Sequence, residues 1–290
     1  MYKTLSQYLK TKYGTAVRKI CIDGGFSCPN RDGTAGHGGC IFCGERGAGE
    51  HIDATLSIRE QVSSGLASGK ADAYIAYFQN FTNTYAPVEI LRERYLSALT
   101  DERIVVLAIG TRPDCITPEI CDLLNELQSK VDIWVELGLQ TANDDTASVI
   151  NRSYPLSVYE SAAALLRERK IPFVTHMIIG LPGEGEKEAL ETAKVILDSG
   201  AWGIKIHSLY VMEGTRLAEL YSEKAYTPPT FEEYTDTAAR VLALIGDRLV
   251  VHRITGDCPG DLLVAPEWSR EKSRVIDTIR KKLNLLESQR

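Results

Sequence analysis

Three cysteines in one glycine-rich loop are the residues of this sequence best suited to metal chemistry. Cys28, Cys40 and Cys43 stand in a C-x11-C-x2-C arrangement. Thiolates bind iron–sulfur clusters and zinc, and a Cys-x-x-Cys pair can place two sulfurs on one metal centre. Three thiolates on a four-iron cluster leave one iron open to a substrate or cofactor. The alternative is a zinc site in which His37 or His51 supplies the fourth ligand.

Polar residues on other predicted strands favour a reactive site over a structural zinc site. Glu136, Gly138 and Gln140 share one face of a strand by its two-residue period. Lys205 and His207 share one face of an otherwise apolar strand, and both need partners if they are buried. We therefore predict that Lys205 lies in a cavity near the substrate, with a core salt bridge as the alternative.

These residues need strands that end at a common edge. Apolar, β-branched runs alternate with helical patterns from about residue 17 to about residue 211, which predicts parallel strands with helical crossovers. Six strand–helix units are too few for a closed eight-stranded barrel, so a partial barrel and an open doubly wound sheet both fit. In either fold, ligands bind at the carboxyl ends of the strands. The six predicted strands are 17–23, 73–78, 103–110, 132–139, 172–180 and 203–211.

Helix signals separate the strands, and the chain changes character near residue 215. Capping-box spacing predicts helix starts at Ser57, Ser157 and Thr230, and Thr117 precedes a first-turn proline. Beyond residue 215 the pattern is two helices, a strand-like segment, a Gly/Pro-rich loop and a terminal helix. We predict a core at 1–214, with an N-terminal lead-in, and an α-rich extension at 215–290 packed on it.

The bulk composition sets limits on location and partners. With 290 residues, 44% hydrophobic content and a formal net charge of −6, the chain can bury a large core and has no global attraction for nucleic acid or membranes. No signal-peptide segment or long apolar run occurs, so we predict a cytoplasmic protein without membrane association. In a reducing compartment, Cys21, Cys115 and Cys121 are expected to be core residues, and Cys258 is a loop thiol.

The cysteine loop carries a family resemblance. Its pattern, C-P-N-R-D-G-T…G-G-C-x-F-C over residues 28–43, resembles the radical S-adenosylmethionine (SAM) superfamily, and within it the group similar to the catalytic subunit of elongator. A more distant likeness is to oxygen-independent coproporphyrinogen oxidase. The first gap is longer than in the common C-x3-C-x2-C motif, as in the elongator-like branch. The resemblance implies an α/β fold, namely a partial (β/α)6 radical SAM barrel with a C-terminal α-rich extension.

The same resemblance implies the cofactors. Cys28, Cys40 and Cys43 would hold a [4Fe-4S] cluster, and SAM would bind the open iron through its amino and carboxylate groups. One electron, from a donor such as flavodoxin or ferredoxin, would cleave SAM to give a 5′-deoxyadenosyl radical that abstracts hydrogen from the substrate.

Residues near the loop are implied as SAM contacts. Phe42 would cover the adenine. The segment containing Gln79, Asn80 and Thr82 stands where relatives bind the SAM amino group through backbone carbonyls, although the usual glycines are absent here. The alternative for this segment is a polar strand-end turn.

Further contacts are implied on the later strands. Glu136, Gln140 and Arg152 would bind SAM, because the spacing from Gln140 to Arg152 matches that of relatives and a guanidinium suits a carboxylate. Pairing of Arg152 with a helix-terminal acid is the alternative. Lys205 and His176 are the candidate catalytic residues. His176 lies within the predicted strand 172–180, which is followed by Gly-x-Pro-Gly.

The resemblance also suggests the substrate. Elongator-like proteins are associated with modification of the tRNA wobble uridine at its C5 side chain, which implies tRNA as a partner. A small metabolite or a tetrapyrrole-like molecule is the enzymatic alternative, and a zinc-stabilised binding domain is the non-enzymatic one. Basic residues near both termini either contact phosphates or form solvated faces: Lys10, Lys12, Arg18, Lys19, Arg270, Lys272, Arg274, Arg280, Lys281 and Lys282.

Overall fold

The computed structural model, which describes residues 2–47 and 49–289, contains a curled sheet of eight parallel strands. The strands pair in the order β1-β9-β7-β6-β5-β4-β3-β2, and a separate antiparallel pair joins β8 to β10. The strands are β1 Lys3–Thr4, β2 Val17–Ile22, β3 Ala73–Phe78, β4 Ile104–Thr111, β5 Asp132–Gln140, β6 Phe173–Ile179, β7 Gly203–Ser208, β8 Val211–Met212, β9 Val250–Arg253 and β10 Leu263–Ala265.

Helices connect successive strands, as the alternating sequence pattern predicts. The helices are α1 Leu5–Tyr13, α2 Ile58–Ser68, α3 Val88–Ala98, α4 Pro118–Leu127, α5 Asp144–Val149, α6 Leu156–Glu168, α7 Glu186–Asp198, α8 Arg216–Ser222, α9 Phe231–Ile245 and α10 Lys272–Ser288. Short 3₁₀ turns occupy Pro113–Cys115 and Glu267–Arg270.

The six predicted strands are confirmed as β2 to β7, and the curl of the sheet makes the fold a partial barrel. Side chains from different strands pack against one another on the inner face, where Ile75, Val106, Trp134 and Val174 form one buried cluster. Leu9 of α1 belongs to the same cluster and is 3% exposed. Helix α1 therefore covers the inner apolar residues. The outer face packs against the surrounding helices in a larger cluster.

Most predicted helix starts are confirmed, and one is wrong. Ser57 and Thr230 form capping boxes, and Thr117 caps α4. The predicted start at Ser157 is incorrect because α6 begins at Leu156 after Pro155. The Leu156 N–H donates instead to the Asp144 carboxylate at 2.7 Å. A side chain from α5 thus replaces the local cap.

The segment after residue 214 contributes to the main sheet. Its β9 lies between β7 and β1 in parallel pairing, while α10 packs on α9. The division into 1–214 and 215–290 stays a prediction. Within the described ranges, no helix combines the length and apolar character needed to cross a membrane.

Candidate active site

The cysteine loop leaves the carboxyl end of β2 and lies across the mouth of the half-barrel. Its apolar residues hold it there: Ile41 is buried among Ile150, Ile178 and Leu209, and Phe42 packs against this group. The Ile41 N–H donates to the Ile150 carbonyl at 3.1 Å. The sheet therefore presents the three cysteines at the edge where parallel strands bind ligands.

Asn30 links the cysteine loop to the chain that follows β5. This fully buried side chain donates from Nδ2 to the Asn151 carbonyl at 2.6 Å and approaches the Cys40 sulfur at 3.9 Å. Its Oδ1 accepts from the Ser153 hydroxyl at 2.5 Å. Asn151 completes the link by donating to the carbonyls of His37 and Gly39. The side-chain amides of Asn30 and Asn151 thus position the loop.

The three thiols influence one another electrostatically. Burial, together with the nearby Cys43 and Cys28 sulfurs, raises the pKa of Cys40 to about 12. Burial also raises the pKa of Cys43, against the lowering effect of Arg31. These raised pKa values favour the protonated thiols. A bound metal ion would favour the thiolates instead, since cysteine binds metals in its deprotonated form.

The donor set fits an iron–sulfur cluster better than a single ion. Among residues 2–47 and 49–289, no group of three or more His, Cys, Asp or Glu side chains is arranged to hold one metal ion. In a four-iron cluster each thiolate binds its own iron, so the sulfurs need not converge on one point. Hydrogen bonding to a ligand sulfur, as from Asn30 to Cys40, is a common means of tuning such a cluster. The assignment of Cys28, Cys40 and Cys43 as ligands stays a prediction.

The loop after β3 offers buried acceptor atoms. Oδ1 of Asn80, Oγ1 of Thr82 and Oδ1 of Asn83 are buried, and none has a hydrogen-bond partner within the described residues. Asn80 donates from Nδ2 to Asp23 at 2.6 Å, while Gln79 contacts the His51 ring at 3.3 Å. Buried polar atoms are normally satisfied, so unpaired acceptors here fit a ligand that brings donors, such as an amino group.

Gln140 ends β5 in a strained conformation. Its φ of 68° lies in the left-handed region, which is unusual for a residue other than glycine. The Gln140 side chain folds back over Gly138, where a Cβ atom would lie 2.9 Å from Gln140 Nε2. Strain of this kind clusters at ligand sites, which agrees with the predicted role of Gln140.

Arg152 is buried, and its donors are engaged by the chain itself. It donates to the carbonyls of Leu139, Thr141 and Tyr154 at 2.5–3.0 Å and contacts the Asp144 carboxylate at 3.2 Å. Asp144 is the first residue of α5. The observed contact is therefore the alternative considered from the sequence, in which Arg152 pairs with an acid at a helix end. A direct contact between Arg152 and SAM stays a prediction.

Glu136, Lys205 and His176 come together on the inner face. The Lys205 ammonium contacts the Glu136 carboxylate, and His176 Nε2 lies 2.8 Å from the same oxygen. Trp134 donates to the other carboxylate oxygen at 3.1 Å. Lys205 also donates to the Tyr77 hydroxyl at 3.1 Å. The predicted candidates thus form one hydrogen-bonded network.

Burial and the neighbouring charges shift the pKa values of this network. Burial opposes ionisation of Glu136, but Lys205, Lys19 and His176 hold its pKa well below the usual range. Burial also lowers the pKa of Lys205 to about 7 and that of His176 to about 4. A neutral histidine beside an ionised carboxylate and an ammonium of lowered pKa can hold or release a proton near neutral pH.

Five of the ten basic residues considered for phosphate contacts pair with nearby carboxylates. Lys12 pairs with Asp132, Lys272 with Asp257, and Lys282 with Glu232 and Asp236. Arg274 pairs with Glu271, which directly precedes α10, and Arg280 pairs with Asp277 within α10. The structure therefore does not gather these residues into one free cationic face.

Two residues that support the site, Asn30 and Arg31, were not predicted as site residues from the sequence. Asn30 and Arg31 stand inside the cysteine motif, and Arg31 donates to the carbonyls of Cys43 and Gly44. Arg112 follows β4, pairs with Asp114 at 2.6 Å and donates to the Arg152 carbonyl at 3.0 Å. The only sequence signal of Asn30 and Arg31 was their position within the cysteine motif, whereas Arg112 stands in the polar segment that ends a predicted strand. A cleft of about 420 Å³ beside this loop is lined by Arg31, His37, Cys40, Cys43, Asn151 and Arg216.

Comparison with known proteins agrees with this arrangement. The family described as the radical SAM superfamily matches residues 32–196, and the radical SAM C-terminal domain matches residues 201–284. The uncharacterised protein YtqA of Bacillus subtilis is 40% identical over 97% of this chain and 89% of its own length. The tRNA uridine(34) acetyltransferase of Dehalococcoides mccartyi is 30% identical over 59% of this chain and 37% of its own length.

A solved structure shows the same fold. Elp3 from Methanocaldococcus infernus superposes with a TM-score of 0.67 at 19% identity, over 92% of this chain and 63% of that one. Because the family match covers more than half of the sequence, the chain belongs to the radical SAM superfamily and is an enzyme whose cofactors are a [4Fe-4S] cluster and SAM.

Proposed function

We propose that this enzyme acts on tRNA, at the C5 side chain of the wobble uridine. The observation that carries the proposal is the similarity to a tRNA uridine(34) acetyltransferase over 59% of the chain. The similarity to Elp3 of mouse, at 27% identity over 56% of the chain, supports the same substrate class.

Cys28, Cys40 and Cys43 would hold the cluster, with Asn30 and Arg31 fixing the loop. When bound, the cluster and SAM supply reductive cleavage of SAM and a 5′-deoxyadenosyl radical. The electron would come from a donor such as flavodoxin or ferredoxin. Phe42, the acceptors at Asn80 and Thr82, and Gln140 would position SAM at the mouth of the half-barrel.

The inner-face network would face the substrate. Glu136 keeps Lys205 and His176 in place, because both contact the same carboxylate oxygen. The lowered pKa of Lys205, about 7, makes that side chain suited to exchange a proton with the substrate near neutral pH. Buried walls around this network limit the access of water.

Nucleoside mass spectrometry of tRNA tests the proposal. In a strain lacking this gene, we expect one C5-modified wobble uridine to be replaced by its precursor, with other nucleosides unchanged. A plasmid copy of the wild-type gene or of Cys258→Ala should restore the profile, whereas Cys40→Ala should not. An identical nucleoside profile in the deletion strain would contradict a tRNA substrate and would favour a small molecule.

A further inference from the structure

Two ammonium groups flank one buried tyrosine on the inner face of the half-barrel. Lys19 Nζ lies 4.2 Å and Lys205 Nζ lies 4.4 Å from the centre of the Tyr77 ring. Tyr77 is 5% exposed, whereas Lys19 is exposed on the edge strand β2. The edge of the sheet thus brings a solvent-accessible cation next to the buried network.

A third cation reaches this face from β9. The pairing of β9 with β7 shifts by one residue, so that Ile204 pairs with Val251 but Lys205 pairs with Arg253. Such a bulge turns Arg253 to the face that Lys205 occupies. Its guanidinium is 39% exposed and lies 3.6 Å from the half-exposed Asp257, which also pairs with Lys272.

Positive charge exceeds negative charge around Tyr77. Glu136 is the buried carboxylate of this group, and both of its oxygens already accept hydrogen bonds. In the part of the chain that the structure describes, Lys19 has no carboxylate within ion-pair distance. Burial lowers the pKa of Lys205, Glu136 opposes this effect, and Lys19 and Arg253 lower the pKa further. An anion bound beside them would relieve this repulsion.

A neighbouring histidine has unused hydrogen-bonding capacity. The His207 ring lies 5.2 Å from that of His176, and its buried Nε2 has no hydrogen-bond partner within the described residues. A ring nitrogen can donate to an anion when it carries the proton.

We propose that Lys19, Lys205 and Arg253 form a subsite that binds one anionic group of the substrate, a phosphate or a carboxylate, on the inner face of the half-barrel. The identification of that anion as part of tRNA rests on the proposed function. The subsite itself rests on the three cations and the single buried carboxylate among them.

Fluorescence titration with inorganic anions tests the subsite directly. Trp134, which donates to Glu136, reports on the network. The holoprotein is titrated anaerobically with inorganic phosphate and, separately, with acetate at constant ionic strength. We expect saturable binding of at least one anion to the wild-type protein. In Lys19→Gln and in Arg253→Gln the Kd should rise by about tenfold, because each variant loses roughly one charge-assisted contact. Both substituted residues are exposed, so the fold should persist.

Lys194→Gln is the matched control, since Lys194 is exposed on α7 and carries the same charge. Its Kd should equal that of the wild type. The subsite is refuted if neither anion saturates the wild-type protein, if both inner-face variants bind as the wild type does, or if Lys194→Gln weakens binding equally.

The source of the anion follows from a second titration, of tRNA at several salt concentrations. If Lys19 contacts a backbone phosphate, Lys19→Gln should reduce the salt slope by about one. If the anion is a carboxylate on the nucleoside, the slope should stay constant and acetate should be the preferred probe. A changed nucleoside profile without anion binding would refute the subsite alone, and anion binding with an unchanged profile would refute the tRNA substrate alone.

Discussion

The buried His252 side chain makes the stability of this protein depend on pH. The His252 ring lies 5.5 Å from the Trp134 ring and 5.1 Å from the Trp202 ring. Neither of its buried nitrogens has a hydrogen-bond partner within the described residues, and burial holds the pKa of His252 well below its usual range. The folded protein therefore keeps this ring neutral.

Replacement of His252 should remove part of the acid sensitivity. The unfolded chain binds a proton at His252 below pH 6.5 and the folded chain does not, so stability falls as the pH falls below about 6.5. In His252→Phe, the slope of unfolding free energy against pH between pH 6 and 5 should decrease by about 1.4 kcal/mol per pH unit. Denaturant unfolding across this range measures it. The exposed His51→Phe serves as the control, and an unchanged slope in His252→Phe would show that the cavity accommodates the charged ring.

The connection from β5 to α6 is held largely by the Arg152 guanidinium. Arg152 satisfies three buried carbonyls of this connection and also approaches Asp144, whose carboxylate caps α6. The same connection holds the cysteine loop through Asn151. Loss of Arg152 should therefore disturb both α6 and the loop.

Arg152→Met should be destabilised by roughly 3 kcal/mol in the absence of SAM, because buried acceptors lose their donors. Chemical denaturation provides the measurement. Arg103→Met is the control, since Arg103 pairs mainly with the neighbouring Asp101 and is half-exposed. If Arg152→Met kept full stability and lost only SAM affinity, the guanidinium would bind the cofactor and would not stabilise the connection from β5 to α6.

The sequence pattern predicted β2 to β7 because each is a local apolar run followed by a helix signal. It did not place β1 beside β9, since these short strands pair across nearly the whole chain and non-local pairing leaves no local pattern. The face shared by Glu136 and Gln140 was predictable from the strand period. Their partners were not, because the contact between Glu136 and Lys205 depends on how the sheet curls.

The curled sheet carries two distinct apolar clusters on its inner side, one under α1 and one under the cysteine loop. Apolar side chains and α1 fill one part of the inner face and contact Tyr77 and Trp134 of the polar network, while the cysteine loop packs on a second apolar cluster at the mouth. The C-terminal segment supplies β9, and with it Arg253, to the same inner face. The cysteine loop and the polar network of the inner face are therefore built by segments distant in sequence. The cytoplasmic location stays a prediction.

The central claim is that Cys28, Cys40 and Cys43 bind the cluster at which SAM is cleaved. The decisive measurement is iron and sulfide content, with 5′-deoxyadenosine formation under reductant, for anaerobically reconstituted wild type, Cys40→Ala and Cys258→Ala. We predict about four irons per chain and SAM cleavage in the wild type and in Cys258→Ala, and loss of both in Cys40→Ala. A colourless zinc protein, or a Cys40→Ala variant that keeps its iron and its SAM cleavage, would contradict this account.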